Sequence, residues 1–244
     1  MRRVVWFSCG AASAVLAKMA TDRYDDVEVV YCDTMGDEHP DNRRFSNDVE
    51  GWVGQSITVI KSDTFGGIDD VFEKRRYLAG IAGAPCTVEM KKKPRFAFED
   101  ADDIHLFGFT ADEPGRIERF DNNNPELAAE HLLADEGITK RDCYRIIEEA
   151  GIAMPTMYLL GYSNNNCLGC VKASSGSYWN MVRRDFPEVF DRRVRQSRDF
   201  GARLVKVHGE RVFLDELPED YWPTEVENIS CGPDCGTQLR IGDE

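Results

Sequence analysis

The stretch from Val4 to Leu16 constrains the fold of this chain more than any other part of its sequence. It reads VVWFSCGAASAVL, in which an apolar run passes into small residues and then into a helical pattern. That order predicts a β-strand, a tight loop and an α-helix. Small side chains let backbone N–H groups approach an anion, and the first turn of a helix carries the positive end of its dipole. We therefore expect a phosphate-binding loop made of Ser8, Cys9, Gly10, Ala11, Ala12 and Ser13, in which the two serines add hydroxyl donors. The alternative is a strand, loop and helix that pack on small residues and bind nothing.

The composition of the chain limits the classes of protein to which it can belong. The chain has 244 residues, with 30 basic and 44 acidic side chains, and its net charge is −14. This charge excludes a general nucleic-acid coat protein but is compatible with a local basic groove. No apolar run is long enough to span a membrane. The run after Arg2 and Arg3 breaks at Ser8 and Gly10, too early for a signal peptide. We expect a cytoplasmic protein whose eight cysteines are metal ligands or redox groups rather than disulfides.

Strand and helix patterns alternate through the first half of the chain. Apolar runs at 27–31, 57–60 and 104–109 predict three further strands, with helical stretches between them. Such alternation is typical of an α/β protein with a Rossmann-like, doubly wound parallel sheet, which binds ligands at the carboxyl ends of its strands. We expect a nucleotide-binding α/β domain over residues 1–160. A helical, cysteine-rich and arginine-rich region over 161–244 is expected to pack on it.

The middle of the chain has helical signals. Asn124 and Pro125 resemble a helix start, which predicts a helix over 127–133. Thr139 predicts the start of a second helix, which ends at Gly151 and places Cys143, Ile146 and Ile147 in the core. We expect Cys143 to be a buried thiol without a chemical role. The histidines His105, His131 and His208 have no ligand partner at a useful spacing, so we interpret them as structural.

Two cysteines separated by two residues, Cys167 and Cys170, form half of a metal site. The other half has to come from Cys86, Cys231 or Cys235. An iron–sulfur cluster is one interpretation of this set. The alternatives are a zinc ion held by the pair together with Cys231 and Cys235, and free thiols.

The sequence after Cys170 contains many arginines, from Arg183 to Arg198. In an acidic protein, such a stretch favours either a groove for a polyanion such as RNA or a solvated face whose arginines pair with nearby carboxylates.

The loop and the strand ends together resemble a known family. The loop lacks the Gly-Lys-Ser/Thr of a Walker loop and resembles the Ser-Gly-Gly-x-x-Ser loop of the adenine nucleotide alpha hydrolases (the PP-loop superfamily), with Cys9 in place of the first glycine. Asp33 and Thr34 are similar to the Asp-Thr-Gly that ends the second strand in the phosphoadenylyl-sulfate (PAPS) reductase branch. The loop after the fourth strand, with Gly108, Arg116 and Arg119, is similar to a glycine and arginine-bearing loop of that branch. The resemblance implies that Asp33, Thr34 and Gly108 lie near a nucleotide, with Arg116 and Arg119 near its phosphate or sulfate.

The cysteines extend this resemblance. Cluster-bearing adenylyl-sulfate reductases carry a tandem Cys-Cys, then basic residues and a proline, and later a Cys-x-x-Cys. Here Cys86 precedes Cys167 by 81 positions, and Lys91 and Pro94 follow Cys86, but Thr87 replaces the second cysteine of the tandem. The resemblance implies a [4Fe-4S] cluster held by Cys86, Cys167 and Cys170. PAPS reductases also carry a nucleophilic cysteine near the C-terminus, for which Cys231 and Cys235 are the candidates here, although the flanking Glu and His are absent.

These features leave three functional hypotheses. In the first, ATP adenylates an acceptor and the cluster delivers sulfur to it. In the second, the substrate is adenylyl sulfate or its 3′-phosphorylated form, and Cys231 or Cys235 attacks its sulfur with help from Arg116. In the third, the protein is a nucleotide-binding regulator with a structural zinc. We expect ATP or an adenylyl nucleotide as ligand, with Mg²⁺ as a further candidate. As partners we expect a sulfur acceptor or thiol reductant, with RNA as a candidate, no membrane, and assembly as a homo-oligomer.

Overall fold

The computed structural model describes residues 1–80, 83–223 and Ile229. The strands are β1 (Arg3–Phe7), β2 (Val27–Cys32), β3 (Thr58–Ile60), β4 (Ile104–Leu106), β5 (Ala129–Glu130), β6 (Val205–Val207) and β7 (Glu210–Val212). The helices are α1 (Ala11–Arg23), α2 (Asn42–Val53), α3 (Ile68–Arg75), α4 (Pro85–Thr87), α5 (Lys93–Phe98), α6 (Pro114–Asn123), α7 (Leu132–Asp135), α8 (Lys140–Glu149), α9 (Thr156–Leu159), α10 (Gly176–Asp185) and α11 (Pro187–Asp199). A π-helix, Val88–Lys92, joins α4 to α5.

The first five strands form one parallel sheet in the order β3-β2-β1-β4-β5. The chain adds β2 and β3 on one side of β1 and then crosses to the other side to add β4. The sheet therefore has its topological switch point between β1 and β4, where a crevice opens at the carboxyl ends of the strands. The expectation of a Rossmann-like α/β sheet is confirmed.

β1 is apolar from Val4 to Phe7 because both faces of the sheet are covered. Val5 and Phe7 pack in one core layer with α1 and α8, whereas Val4 and Trp6 pack in the opposite layer with Phe107 and Phe120. A third core cluster lies around the fully buried Trp179 of α10 and contains side chains from α3, α4 and α11. β6 and β7 form a separate antiparallel pair.

Helix α8 begins and ends where the sequence predicts. Thr139 is its N-cap, and the Thr139 hydroxyl accepts the Asp142 N–H (3.2 Å) while the Asp142 carboxylate accepts the Thr139 N–H (3.1 Å). Gly151 follows the helix in the left-handed conformation (φ 71°), as a C-terminal glycine commonly does. Cys143 and Ile147 are fully buried.

The helix predicted over 127–133 is wrong. Residues Ala129–Glu130 form the edge strand β5, and α7 begins only at Leu132. The Arg3 guanidinium binds the Glu130 carboxylate (2.9 Å), and the His105 N–H donates to the Ala128 carbonyl (2.7 Å). Both contacts depend on β4 and β1, so local sequence does not reveal them. The predicted fourth strand is also shorter than expected, because β4 ends at Leu106.

No helix in the described ranges is both long enough and apolar enough to cross a bilayer.

Candidate nucleotide site

The predicted phosphate loop lies at the switch point, between the end of β1 and the start of α1. Cys9 has a left-handed backbone (φ 55°), and Gly10 is extended (φ −91°, ψ 158°). A non-glycine residue pays about 1–2 kcal/mol for the left-handed conformation. Glycine adopts this conformation without that cost. The Cys9 side chain is fully buried, and burial raises the pKa of its thiol.

Ser13 fixes the shape of this loop. Its hydroxyl accepts the Ser8 N–H (3.1 Å) and donates to the Gly10 carbonyl (2.9 Å), and it lies 3.2 Å from the Ser8 hydroxyl. The Ser13 side chain is buried. We therefore assign Ser13 to holding the loop closed, and the donors that face a ligand are the backbone N–H groups.

Three backbone N–H groups at the start of α1 lack an acceptor. Among the residues that the structure describes, the N–H groups of Gly10, Ala12 and Ser13 have no hydrogen-bond partner. The Ala11 N–H donates to the Tyr158 hydroxyl (3.3 Å). Because the first N–H groups of a helix have no partner within the helix, a bound anion can satisfy them and also lies at the positive end of the dipole.

Gly108 lets α1 approach the sheet closely. A Cβ at this residue would lie 3.0 Å from the Ser13 nitrogen and 3.3 Å from the Ala12 carbonyl carbon. Both contacts are to backbone, which cannot rotate away as a side chain would. Gly108 is thus needed for packing between β4 and the first turn of α1, directly beside the loop.

The end of β2 forms a buried polar network. The Thr34 hydroxyl donates to one oxygen of Glu38 (2.6 Å), and the Asn42 amide donates to the other (2.6 Å). Burial raises the pKa of Glu38 above its ordinary value. Thr34 is buried in this network, whereas Asp33 is only half-buried and its carboxylate accepts the Met35 N–H (3.2 Å). Of the two residues that resemble the family motif, Asp33 is the one nearer to solvent.

A buried lysine contributes positive charge to this region. Lys91, in the π-helix, is 8% exposed. Burial raises the pKa of both Glu38 and Cys9, and the charge of Lys91 offsets part of that rise. Its carbonyl accepts the Cys32 thiol (3.6 Å). Pro94 has no N–H and would clash with the carbonyl four residues earlier, so the wider π turn just before it relieves that contact. π turns are frequent at functional sites.

The Cys-x-x-Cys segment is bonded directly to the loops of the site. The Leu168 N–H donates to the Asp37 carbonyl (2.9 Å), and the Asn165 amide donates to the Cys9 carbonyl (2.7 Å). Gly169 is left-handed (φ 61°), and its carbonyl accepts the Arg193 guanidinium (3.1 Å). These bonds connect the segment that carries the two thiols to the loop after β2 and to the loop after β1.

Cys86, Cys167 and Cys170 are buried in one apolar cluster and form no disulfide. Within residues 1–80, 83–223 and 229, no three His, Cys, Asp or Glu side chains form a group that could hold a metal ion. Cys231 and Cys235 lie outside the described residues. The described thiols therefore do not by themselves make a complete metal site.

The two arginines of the predicted phosphate or sulfate loop lie on α6. Arg116 binds the Glu113 carboxylate (2.9 Å), and its guanidinium lies 4.7 Å from the centre of the Phe109 ring. Arg119 is exposed and donates to the Gly115 carbonyl (2.9 Å).

The later arginines are largely paired with carboxylates. Arg192 and Arg193 both bind Asp69, Arg184 binds Asp185 (2.6 Å), and Arg198 binds Asp215 (2.9 Å). Arg193 is fully buried. This arrangement is the second of the two expected from the sequence, a face paired with nearby carboxylates.

Two residues of the site were not predicted from the sequence. Tyr158 and Asn165 both contact the loop from more than 140 positions away. Three consecutive asparagines before the Cys-x-x-Cys are the one visible signal for Asn165. No comparable signal marks Tyr158.

No protein-family model matches this chain, and no curated protein matches it. Among solved structures it is similar to a phosphoadenylyl-sulfate (PAPS) reductase from Candida auris, determined as a phosphate complex. The two share 12% sequence identity over 68% of this chain and 81% of that one, with a TM-score of 0.47. At this identity the likeness assigns no role to any residue. The chain is an α/β protein with a parallel, doubly wound sheet, and it has the PAPS reductase as a structural neighbour.

Proposed function

We propose that the protein is a PAPS reductase-like enzyme that binds an adenylyl nucleotide at the loop between β1 and α1. The observation that carries the proposal is the set of unsatisfied N–H groups of Gly10, Ala12 and Ser13, which lie at the switch point of the sheet. The positive end of α1 and the buried Lys91 add to the attraction for an anion. The acidic network around Glu38 is neutralised in part by Lys91, which limits its repulsion of a phosphate.

The chemistry we propose is sulfonucleotide reduction, because the chain is rich in cysteine and the segment that carries Cys167 and Cys170 is hydrogen-bonded to the loops of the anion site. A cysteine thiolate attacks the sulfur of adenylyl sulfate or its 3′-phosphorylated form. A sulfur–sulfur bond forms, the sulfur–oxygen bond to the nucleotide breaks, and the nucleotide phosphate leaves with the electron pair. A second thiol then displaces sulfite and leaves a disulfide, which a thiol reductant returns to two thiols. Cys231 and Cys235, outside the described residues, remain the candidate nucleophiles.

The second candidate function is ATP-dependent sulfur transfer to an adenylated acceptor. It is favoured by the burial of Cys86, Cys167 and Cys170 in one apolar cluster, since these are the cysteines that the resemblance assigns to a [4Fe-4S] cluster. The zinc alternative uses Cys167 and Cys170 together with Cys231 and Cys235. A complete site would need ligands beyond those that the structure groups together, so no step of the proposed reduction passes through the metal.

Binding is tested with a variant that should fold normally. A Cβ at Gly10 would meet only the Tyr158 hydroxyl at 3.4 Å and the Ser8 hydroxyl at 3.6 Å, and the Gly10 backbone suits alanine. Gly10→Ala should therefore keep the fold but weaken nucleotide binding at least 10-fold, because the methyl group blocks close approach to the loop. Gly51→Ala, in α2 with no atom near the added Cβ, is the matched control.

Calorimetric titration with ATP, adenylyl sulfate and PAPS, with and without Mg²⁺, measures this binding. Equal affinity of wild type and Gly10→Ala for all three ligands contradicts the proposal. Product analysis separates the two reactions, since thiol-dependent sulfite release indicates sulfonucleotide reduction and pyrophosphate release from ATP indicates adenylation. A protein that binds nucleotide but forms neither product is a binding protein rather than an enzyme.

A further inference from the structure

The Tyr158 hydroxyl lies over the first turn of α1. It accepts the Ala11 N–H (3.3 Å). It lies 3.4 Å from the position that a Cβ on Gly10 would take. This places one side-chain oxygen among the donors of the anion site.

The position of Tyr158 is fixed from two sides. The preceding turn is held by the Thr156 N–H, which donates to the Asp41 carboxylate (2.9 Å), and Asp41 in turn binds Arg44 (2.6 Å). The Tyr158 ring packs against the Tyr144 ring, with 5.3 Å between their centres. The hydroxyl is therefore pre-positioned and does not need to be ordered by a ligand.

The hydrogen-bonding capacity of a phenol determines what this hydroxyl can do. A tyrosine oxygen has two lone pairs and one hydrogen. The Ala11 N–H occupies one lone pair of Tyr158, and the hydroxyl hydrogen is left to be donated. Burial raises the pKa of Tyr158 and keeps this hydrogen in place. Hydrogen bonds accepted by an oxygen polarise its O–H and make it a stronger donor.

A second group beside the loop also indicates a ligand. Asn165 is 3% exposed, and its amide nitrogen donates to the Cys9 carbonyl and to the Asn42 side-chain oxygen (2.8 Å). Both partners are acceptors, so the orientation of the carboxamide is determined. The Asn165 side-chain oxygen is then a buried acceptor with no partner in the described part of the chain. Such a group is rare in folded proteins unless water or a ligand satisfies it.

We propose that Tyr158 is a positioning residue of this site, whose hydroxyl donates to an anionic oxygen of the ligand bound at the loop. This inference rests on the proposed nucleotide binding. It adds a neutral side-chain donor to a site whose other donors are backbone N–H groups. The ligand oxygen that it contacts belongs to the phosphate group over α1.

The test compares two tyrosine variants in the full chain. Tyr158→Phe removes the hydroxyl and keeps the ring, and Tyr144→Phe makes the same change on the neighbouring ring. The probes are ATP and inorganic pyrophosphate, titrated by calorimetry. Because a hydrogen bond to a charged group contributes about 1.5–3 kcal/mol, Tyr158→Phe should weaken both probes about 10-fold or more. Tyr144→Phe should change neither by more than about 3-fold.

The outcomes of these titrations separate the two proposals. Parallel losses for both probes in Tyr158→Phe alone support the proposal, since they locate the contact on phosphate. Unchanged affinity overturns it, and so does tighter binding, which would mean that the hydroxyl competes with the ligand for the Ala11 N–H. If Gly10→Ala weakens binding but Tyr158→Phe does not, only this inference fails. If wild type binds neither probe, this inference fails, and if it also binds neither adenylyl sulfate nor PAPS, the proposed function fails with it.

Discussion

Replacing Gly108 with alanine tests whether close packing between β4 and α1 shapes the anion site. The added Cβ would lie 3.0 Å from the Ser13 nitrogen, closer than such contacts normally allow. Since the obstacle is backbone in the first turn of α1, the helix has to move away from the sheet by a few tenths of an ångström. Overpacking of this kind costs about 1–3 kcal/mol.

The same displacement should also weaken the site. The N–H groups of Ala12 and Ser13 move with the helix, so nucleotide affinity should fall together with stability. Urea unfolding at pH 7 gives the free energy of unfolding. A chain of this size should lose roughly 2–4 °C of melting temperature for each kcal/mol. Ligand affinity is then measured under conditions in which the variant is fully folded.

Gly51→Ala is a control in which the free energy of unfolding should change in the opposite direction. Gly51 lies inside α2, where a Cβ meets no atom within 4 Å. Alanine should stabilise the helix by about 0.5–1 kcal/mol and leave binding unchanged. A Gly108→Ala variant with wild-type stability and wild-type affinity would refute the argument, because it would show that the first turn of α1 tolerates the extra atom.

Three further predictions concern stability and metal. Arg193→Met should reduce the free energy of unfolding by about 1–3 kcal/mol, because the buried Gly169 carbonyl loses its donor while Asp69 keeps Arg192 as a partner, whereas the same change at the exposed Arg145 should cost under about 1 kcal/mol; equal losses in urea unfolding would contradict this. Burial lowers the pKa of His105 from its ordinary 6.5 to about 4, so the contribution of His105 to the free energy of unfolding should be full above pH 6.5 and be lost between pH 6.5 and pH 4, because the unfolded chain binds the proton first; an NMR titration that gives His105 a pKa of 6.5 or higher would disprove it. If Cys86 is a cluster ligand, protein purified without air should be brown, and Cys86→Ala should lose iron and sulfide while Cys143→Ala keeps them; stoichiometric zinc retained in Cys86→Ala would rule out the cluster.

The sequence predicts the layers of the fold well where the signal is local. β1, β2 and α8 have apolar patterns or caps within their own residues, and the structure has each of them in place. β5 is different, because two residues carry no periodic pattern and the strand exists only through its pairing with β4. The proline at 125 and the leucines that follow favour a helix locally, and the tertiary pairing overrides that preference.

The candidate site also has one part that the sequence predicts and another that it does not. The loop is predictable because its small residues, the strand before it and the helix after it are contiguous. Glu38, Tyr158 and Asn165 are not predictable, since each acts through contacts that the fold creates. Their residue types are ordinary for a capping residue, a core aromatic and a turn asparagine. What distinguishes them is the buried Asn165 oxygen, which has no partner in the described part of the chain, and the Ala11 N–H on the Tyr158 hydroxyl.

The bond from Asn165 to the Cys9 carbonyl spans 156 positions of the chain, and it bears on the order in which the protein folds. The left-handed turn at Cys9 is unfavourable in an isolated segment, so the first strand and helix can form before the loop reaches its final conformation. The loop reaches its final conformation only when Asn165 binds the Cys9 carbonyl, and contacts between residues so far apart in the sequence form slowly. A chain that ends after residue 160 would retain the sheet strands but lack the hydrogen bond from Asn165 to Cys9. Ligand binding should in turn slow hydrogen exchange in the Cys-x-x-Cys segment, because the energetic coupling between two linked regions acts equally in both directions.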